Sequence, residues 1–315
     1  MKKILVTGAA GTIGLQVIRF LLSEGKYEIT ALDLKTKHVY KRLKKLRKRI
    51  NIVYGDVNDS IIVDSLVKSH DVVIHLAGVL PPFANVRDDL CKAVDYNGTV
   101  CIVDAIKNYN PDCLLLYASS TSVYGYQENS EEISVNTKCN VDNYDYYSSY
   151  KLKAEEYITK QIKKYSIFRL AYVLGDPGCE SLIYNIKPST KLEVVSAEDA
   201  GYAFVCAIDF EKDVVGKVFN LSGGEKFRTV YKDYLLNVFK TYGLSIRFFS
   251  TFLCAEKNFF GGFYSDGDEL ENILHFRSKN LDVYYNLLEK YRYKVTRFLP
   301  RLLALPFILK YKHNK

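Results

Sequence analysis

The stretch "NYDYYSSYKLKAEEY", residues 143–157, places Tyr147 four residues before Lys151. Residues four apart share one face of a helix, so the two side chains would meet there. A phenol with a free pKa of about 10 is a poor base at neutral pH. A neighbouring ammonium favours the phenolate and makes proton transfer accessible. Spacing alone does not assign this role, because 26 tyrosines in 315 residues produce such pairs by chance.

A second constellation opens the chain. "KKILVTG" is a short apolar run with β character, and it leads into "GAAGTIG", which holds Gly8, Gly11 and Gly14. The helical pattern "LQVIRFLLSEG" follows, then a strand, "EITALDL", that carries Asp33. A phosphate needs close backbone approach and free N–H groups at a helix N-terminus, and glycine leaves room for both. An acidic residue about 20 positions past the last glycine meets the adenosine ribose of a dinucleotide. Asp33 lies 19 past Gly14. A carboxylate there accepts the ribose hydroxyls of NAD and repels the 2′-phosphate of NADP. The expected cofactor is NAD, with Lys35 and Lys37 near enough to leave NADP as the alternative.

The elements that must position these groups recur at regular intervals. "INIVYGDV" carries Asp56, "DVVIHLAG" ends at Gly78, "CLLLYASS" at Ser120 and "YSIFRLAYVLG" at Gly175, each parted from the next by a segment of helical length. Near-continuous apolar strands alternating with helices indicate a parallel sheet covered on both faces. The expected fold is α/β, a doubly wound parallel sheet of Rossmann type with a small C-terminal substrate lobe. Residues 1–175 form the cofactor-binding part, and residues 176–315 the lobe and a basic tail, interleaved with the sheet core. Active groups sit at the C-terminal ends of such strands, where Asp56, Ser119 and Ser120 fall.

Composition narrows the class. The chain is 48% apolar and 25% charged, as globular proteins are. Its seven cysteines have no C-x-x-C pair, so free thiols, a reducing compartment and no metal site are expected. The opening residues do not read as a signal peptide, and no run approaches the roughly 20 apolar residues of a membrane span, so a cytoplasmic location is expected. Net charge is +8, and from Arg228 onward 15 basic residues face 8 acidic ones. The run "KTKHVYKRLKKLRKR" at 35–49 reads as a solvated basic helix, and no nucleic-acid partner is expected. Near the end, Leu288, Tyr291, Val295, Phe298, Leu302, Leu305 and Leu309 recur at helical spacing, with Lys290, Lys294, Arg297 and Arg301 on another face. Residues 286–311 therefore read as a helix kinked at Pro300 and Pro306 on the protein's own core, as a contact with the inner membrane face, or as a segment that fits a groove of a partner protein.

Taken together, "TGAAGTIG", "GDV" at 55–57, "HLAG" at 75–78, "SSTSVYG" at 119–125, "YSSYK" at 147–151, "FRLAYVLG" at 168–175, "VVSAEDA" at 194–200 and "FNLSGGE" at 219–225 resemble the extended short-chain dehydrogenase/reductase family, which includes nucleotide-sugar epimerases, reductases and dehydratases. The resemblance runs from Lys3 to about Gly224. It implies that Tyr147 donates or accepts the proton, that Ser120 hydrogen-bonds the reacting oxygen, and that Lys151 meets the nicotinamide ribose. It also implies cofactor contacts from Thr12, Ile13, Asp56, Val57, Leu76, Ala77 and Gly78, substrate contacts from Ser119, Thr121 and Tyr172, and a homodimer.

Dehydratases and decarboxylases of this family carry a carboxylate just before "VYG", whereas this chain has Thr121 and Ser122. Dehydration is therefore not expected. The expected activity is epimerisation at sugar C4 or reduction of a keto-sugar, the sugar being linked to a nucleotide or a lipid. The alternatives are a dehydrogenase of an apolar alcohol and a non-catalytic NAD-binding regulator. Two positions depart from the family pattern: Tyr172 and Asp95 stand where asparagine is usual. With only about 20 residues between Gly175 and "VVSAED", the resemblance implies a nucleotide pocket that is either trimmed or built from elsewhere in the chain.

Overall fold

A computed structural model describes residues 1–81, 83–127, 132–142, 144–175, 187–241 and 261–295. The strands are β1 (Lys2–Thr7), β2 (Tyr27–Asp33), β3 (Asn51–Tyr54), β4 (Val72–His75), β5 (Leu114–Ser120), β6 (Tyr165–Leu170), β7 (Tyr172–Leu174), β8 (Lys191–Ser196), β9 (Lys217–Leu221) and β10 (Arg228–Val230). Seven of them form one sheet in the order β3-β2-β1-β4-β5-β6-β9, every neighbouring pair parallel. A smaller sheet, β10-β8-β7, stands beside it. The helices are α1 (Thr12–Glu24), α2 (Lys37–Leu43), α3 (Ser60–Val67), α4 (Phe83–Val86), α5 (Asp88–Cys91), α6 (Gly98–Tyr109), α7 (Tyr146–Gln161), α8 (Ala197–Asp209), α9 (Glu211–Val214), α10 (Tyr231–Thr241), α11 (Gly267–Leu274) and α12 (Leu281–Val295).

The sheet is buried on both faces, which is why its strands read as unbroken apolar runs. Ile4 and Val6 of β1, with Leu114, Leu116 and Ala118 of β5, pack into the core covered by α1 and α8. Their neighbours Leu5, Leu115 and Tyr117 pack into the opposite core, under α3, α6 and α7. Successive residues of a strand point to opposite faces, so both cores need apolar side chains from every strand. Strand order reverses between β1 and β4, and a reversal of this kind opens a crevice at the carboxyl ends of the strands.

Beyond Gly175 the chain contributes to both sheets: β8 and β10 build the smaller one, then α8 returns to the main core and β9 adds its seventh strand. In the lobe, Tyr284 and Leu288 of α12 are buried with Tyr234, Leu235 and Val238 of α10. The start of the basic tail thus packs on the protein itself. Its remaining expected positions, from the side chain of Tyr291 through Leu309, lie outside the described residues. No described helix is long and apolar enough to cross a membrane.

A chain of buried polar contacts ties the layers together. Glu155 of α7 accepts from Arg169 of β6 at Nη2 (2.7 Å) and Nε (3.1 Å) and also takes the Ser119 hydroxyl. The Arg169 guanidinium lies 4.9 Å from the centre of the Tyr124 ring. Tyr124 donates to Asn220 of β9 at 2.7 Å, and Asn220 donates to Asp266 at 2.8 Å. Asp266, just before α11, also takes the Val135 N–H at 2.6 Å. Removing one member of a buried ion pair leaves the other charge unpaired. Glu155→Ala is therefore expected to lower unfolding free energy by about 3–5 kcal/mol, read from urea denaturation.

Candidate active site

The glycine turn follows from crowding. Gly8 has φ of +62°, and a Cβ on it would stand 2.7 Å from the Ala77 nitrogen. A Cβ on Gly14 would stand 2.5 Å from the Gly8 carbonyl oxygen. The turn is thus pressed against both the strap after β4 and the first turn of α1. Gly11 caps α1 with no side chain over the free N–H groups, and Thr12 and Ile13 form the first turn. Asp33, at the end of β2, accepts from the Ala10 N–H and the Leu34 N–H, each at 2.8 Å. Asp56 is exposed just past β3 and folds over Asn58, accepting at 2.9 Å, while Val57 packs beneath. Leu76, Ala77 and Gly78 extend β4 alongside Gly8. Uncapped N–H groups, a cradle that a Cβ would fill and an acid at the second strand's end fit a dinucleotide. An open cleft of about 400 Å³ lies beside this turn, lined in part by Thr12, Gln16, Gly175, Ser196 and Lys279.

Helix α7 carries the other constellation. Asp145 caps it, accepting from the Ser148 N–H at 3.1 Å. Tyr147, Lys151 and Glu155 follow at four-residue steps, all buried against the sheet. The Ser120 hydroxyl, at the end of β5, is a neighbour of Tyr147 and favours its phenolate. Lys151 donates to the Ala118 carbonyl at 3.0 Å and pairs with Asp95 at 3.1 Å. Burial works against the Lys151 ammonium, but Tyr117, Asp95 and Tyr147 together push its pKa up, so the cation persists. Burial also raises the Tyr147 pKa above the ordinary phenol value; Lys151 and Ser120 pull it down, and Asp95 and Cys91 push it up.

The remaining expected substrate residues are placed differently. Ser119 is buried and donates to Glu155, within the protein. Thr121 is buried beside the Tyr264 hydroxyl. Tyr172, on β7, packs its ring 6.4 Å from that of Tyr234 in the lobe. Asp95, read from sequence as a departure in the nucleotide pocket, instead faces Lys151. Its neighbour Gly78 has no space for a side chain, since a Cβ would stand 2.7 Å from Asp95 Oδ1 and 3.4 Å from Lys151 Nζ. Asp95 itself sits in a π-helical turn, Lys92–Asn97, that runs into α6. Sequence reasoning missed Glu155, although its four-residue step from Lys151 was a usable signal. It also missed Thr7, His75 and Thr99, which no motif announces.

Those three form a buried rod under the glycine turn. Thr99 donates to the Asp95 carbonyl at 2.8 Å, so it accepts from His75 Nε2–H at 3.1 Å. The other ring nitrogen then accepts from the Thr7 hydroxyl at 2.7 Å. Both bonds fit the neutral ring.

Fold and site together define a dinucleotide-binding protein of the doubly wound class with a Ser–Tyr–Lys centre. A family model described as the NAD dependent epimerase/dehydratase family matches residues 4–178, more than half the chain, and this chain belongs to that family. It is 31% identical over 129 residues to CDP-paratose 2-epimerase of Salmonella typhi, covering 39% of this chain and 38% of that relative. It is 30% identical over 170 residues to dTDP-glucose 4,6-dehydratase of Mycolicibacterium smegmatis, covering 52% of this chain and 50% of that one. The matches thus span half or less of these relatives' own lengths. The fold superposes on UDP-glucuronic acid 4-epimerase of Bacillus cereus, a complex with UDP-glucuronic acid and NAD, with a TM-score of 0.75 at 21% identity over 93% of this chain and 99% of that one.

Two expectations follow. Asp33→Asn removes the charge that repels a 2′-phosphate and should narrow the preference for NAD over NADP by about tenfold, measured by calorimetric titration of both. Burial, then Lys151, pushes the His75 pKa down to about 3, below its unfolded value of about 6.5. The contribution is complete above the unfolded value and is lost as pH falls toward the folded one, at up to about 1.4 kcal/mol per unit. Urea midpoints taken between about pH 4 and 7 should show this slope, and His75→Gln should flatten it.

Proposed function

We propose that this chain transfers hydride at a carbinol or ketone carbon of a sugar carried on a nucleotide or lipid diphosphate, as a 4-epimerase or ketoreductase. The observation that carries the reading is the convergence of Ser120, Tyr147 and Lys151 beside a glycine cradle fitted to a dinucleotide. Bound NAD(H) would supply the hydride acceptor or donor. Gly8, Gly11, Gly14 and the start of α1 would hold its diphosphate, Asp33 its adenosine ribose and Lys151 its nicotinamide ribose. Ser120 would orient the substrate oxygen, and Tyr147 would give or take that oxygen's proton.

Support for a sugar comes from the relatives, whose names describe nucleotide-sugar enzymes. Dehydration has no acid in the turn Thr121–Tyr124, whose four residues are buried and uncharged. The lobe built on β7, β8 and β10 lies past the strand ends, where the non-reacting part of a substrate would rest.

Purified protein should be denatured and its supernatant assayed for NAD(H) and NADP(H). Stoichiometric NAD would favour an epimerase, which recycles its cofactor in place. An empty protein that binds NADH would favour a reductase, and a protein that binds neither would end the reading. Across a panel of UDP-, dTDP- and CDP-sugars, Tyr147→Phe should retain cofactor binding and lose turnover by about 100-fold or more.

A further inference from the structure

Lys151 is the charge that should draw Tyr147 toward its phenolate, and in this chain a carboxylate stands against it. Asp95 Oδ1 lies 3.1 Å from the Lys151 ammonium, and both side chains are buried. The ammonium also donates to the Ala118 carbonyl at 3.0 Å. Asp95 is held from several sides. Its Oδ2 accepts from the Val79 N–H at 2.9 Å and from the Cys91 thiol at 3.6 Å. Its carbonyl takes the Thr99 hydroxyl at 2.8 Å. The π-helical turn that presents it is a feature that concentrates at functional positions. An asparagine here would keep an acceptor for Val79 and remove the charge.

The groups facing this centre come from five elements. Tyr147 and Lys151 belong to α7, Asp95 to the π-helical turn, Cys91 to α5 with Asp88 behind it, Tyr117 to β5 and His75 to β4. Burial holds Cys91 as a thiol, Tyr117 as a phenol and His75 as a neutral ring. Lys151 and Asp95 are then the nearest opposed charges in the set. A contact pair acts at a distance as a dipole, whose field falls off faster than that of a lone ammonium.

The geometry points to Asp95 as a positioning residue that anchors Lys151 and offsets part of its field at Tyr147, so that the phenol serves as a proton donor and the site favours reduction of a ketone. This inference rests on the functional reading above and selects its reductive branch. In that direction bound NADH would supply a hydride to the carbonyl carbon and become NAD⁺, the carbonyl π pair would move to oxygen, and that oxygen would take the Tyr147 proton, which Tyr147 would recover from water. Oxidation would require Tyr147 to ionise first, which Asp95 opposes.

The test labels tyrosine with carbon-13 at Cζ, assigns Tyr147 by Tyr147→Phe, and follows its ionisation by NMR with and without NAD. Asp95→Asn should lower the Tyr147 midpoint by about one pH unit or more, the scale of one charge at contact, while NAD still binds. An unchanged or higher midpoint with NAD bound overturns the inference and leaves the functional reading standing. Wild type that binds no NAD sinks the functional reading instead. A purely structural role for Asp95 would change NAD affinity or thermal stability without moving the midpoint. If Asp95→Asn does not fold, Asp95→Ser is titrated in its place: a lower Tyr147 midpoint than wild type supports the inference, and an unchanged or higher one overturns it.

Discussion

A buried ammonium must be met on every side it presents, and most of this site is arranged around that requirement at Lys151. The Ala118 carbonyl and the Asp95 carboxylate meet it directly. Asp95 in turn needs the Val79 N–H, the Cys91 thiol and a distorted helical turn to bring it into reach. Thr99 holds that turn from behind and passes the constraint through His75 to Thr7, at the end of β1. Since Gly8 follows Thr7, the proton-transfer centre and the dinucleotide cradle share one mechanical support.

Helix α7 does the corresponding work on the other side. Its face at four-residue steps presents a phenol, an ammonium and a carboxylate in turn. The first two are the residues proposed for proton transfer, and the third fixes the helix to the sheet through Arg169. The same arginine leads through Tyr124 and Asn220 to Asp266, so the position of Tyr147 depends on contacts that reach the lobe.

Much of this was legible in the residues. The glycine spacing, Asp33 and the apolar runs specified the parallel sheet because each strand must fill two cores. Tyr147 and Lys151 could be paired because helical spacing is a local property. Asp95 and Lys151 are 56 positions apart, and no local rule says that a π-helical turn brings them together. Arg169 was equally hidden: it sits in an apolar strand, and its partner Glu155 lies on a helix whose rotation only packing determines. Ser119 and Ser120 show the same limit, since adjacent serines at a strand end gave no sign that one is engaged by Glu155.

Gly78 carries a consequence for how this site could have changed over time. The missing side chain is what admits the Asp95–Lys151 pair, because a methyl group there would overlap the carboxylate. The two positions are therefore coupled, although they lie 17 positions apart in the chain. An aspartate or an equally long asparagine at position 95 excludes a larger residue at position 78 while the backbone keeps this path.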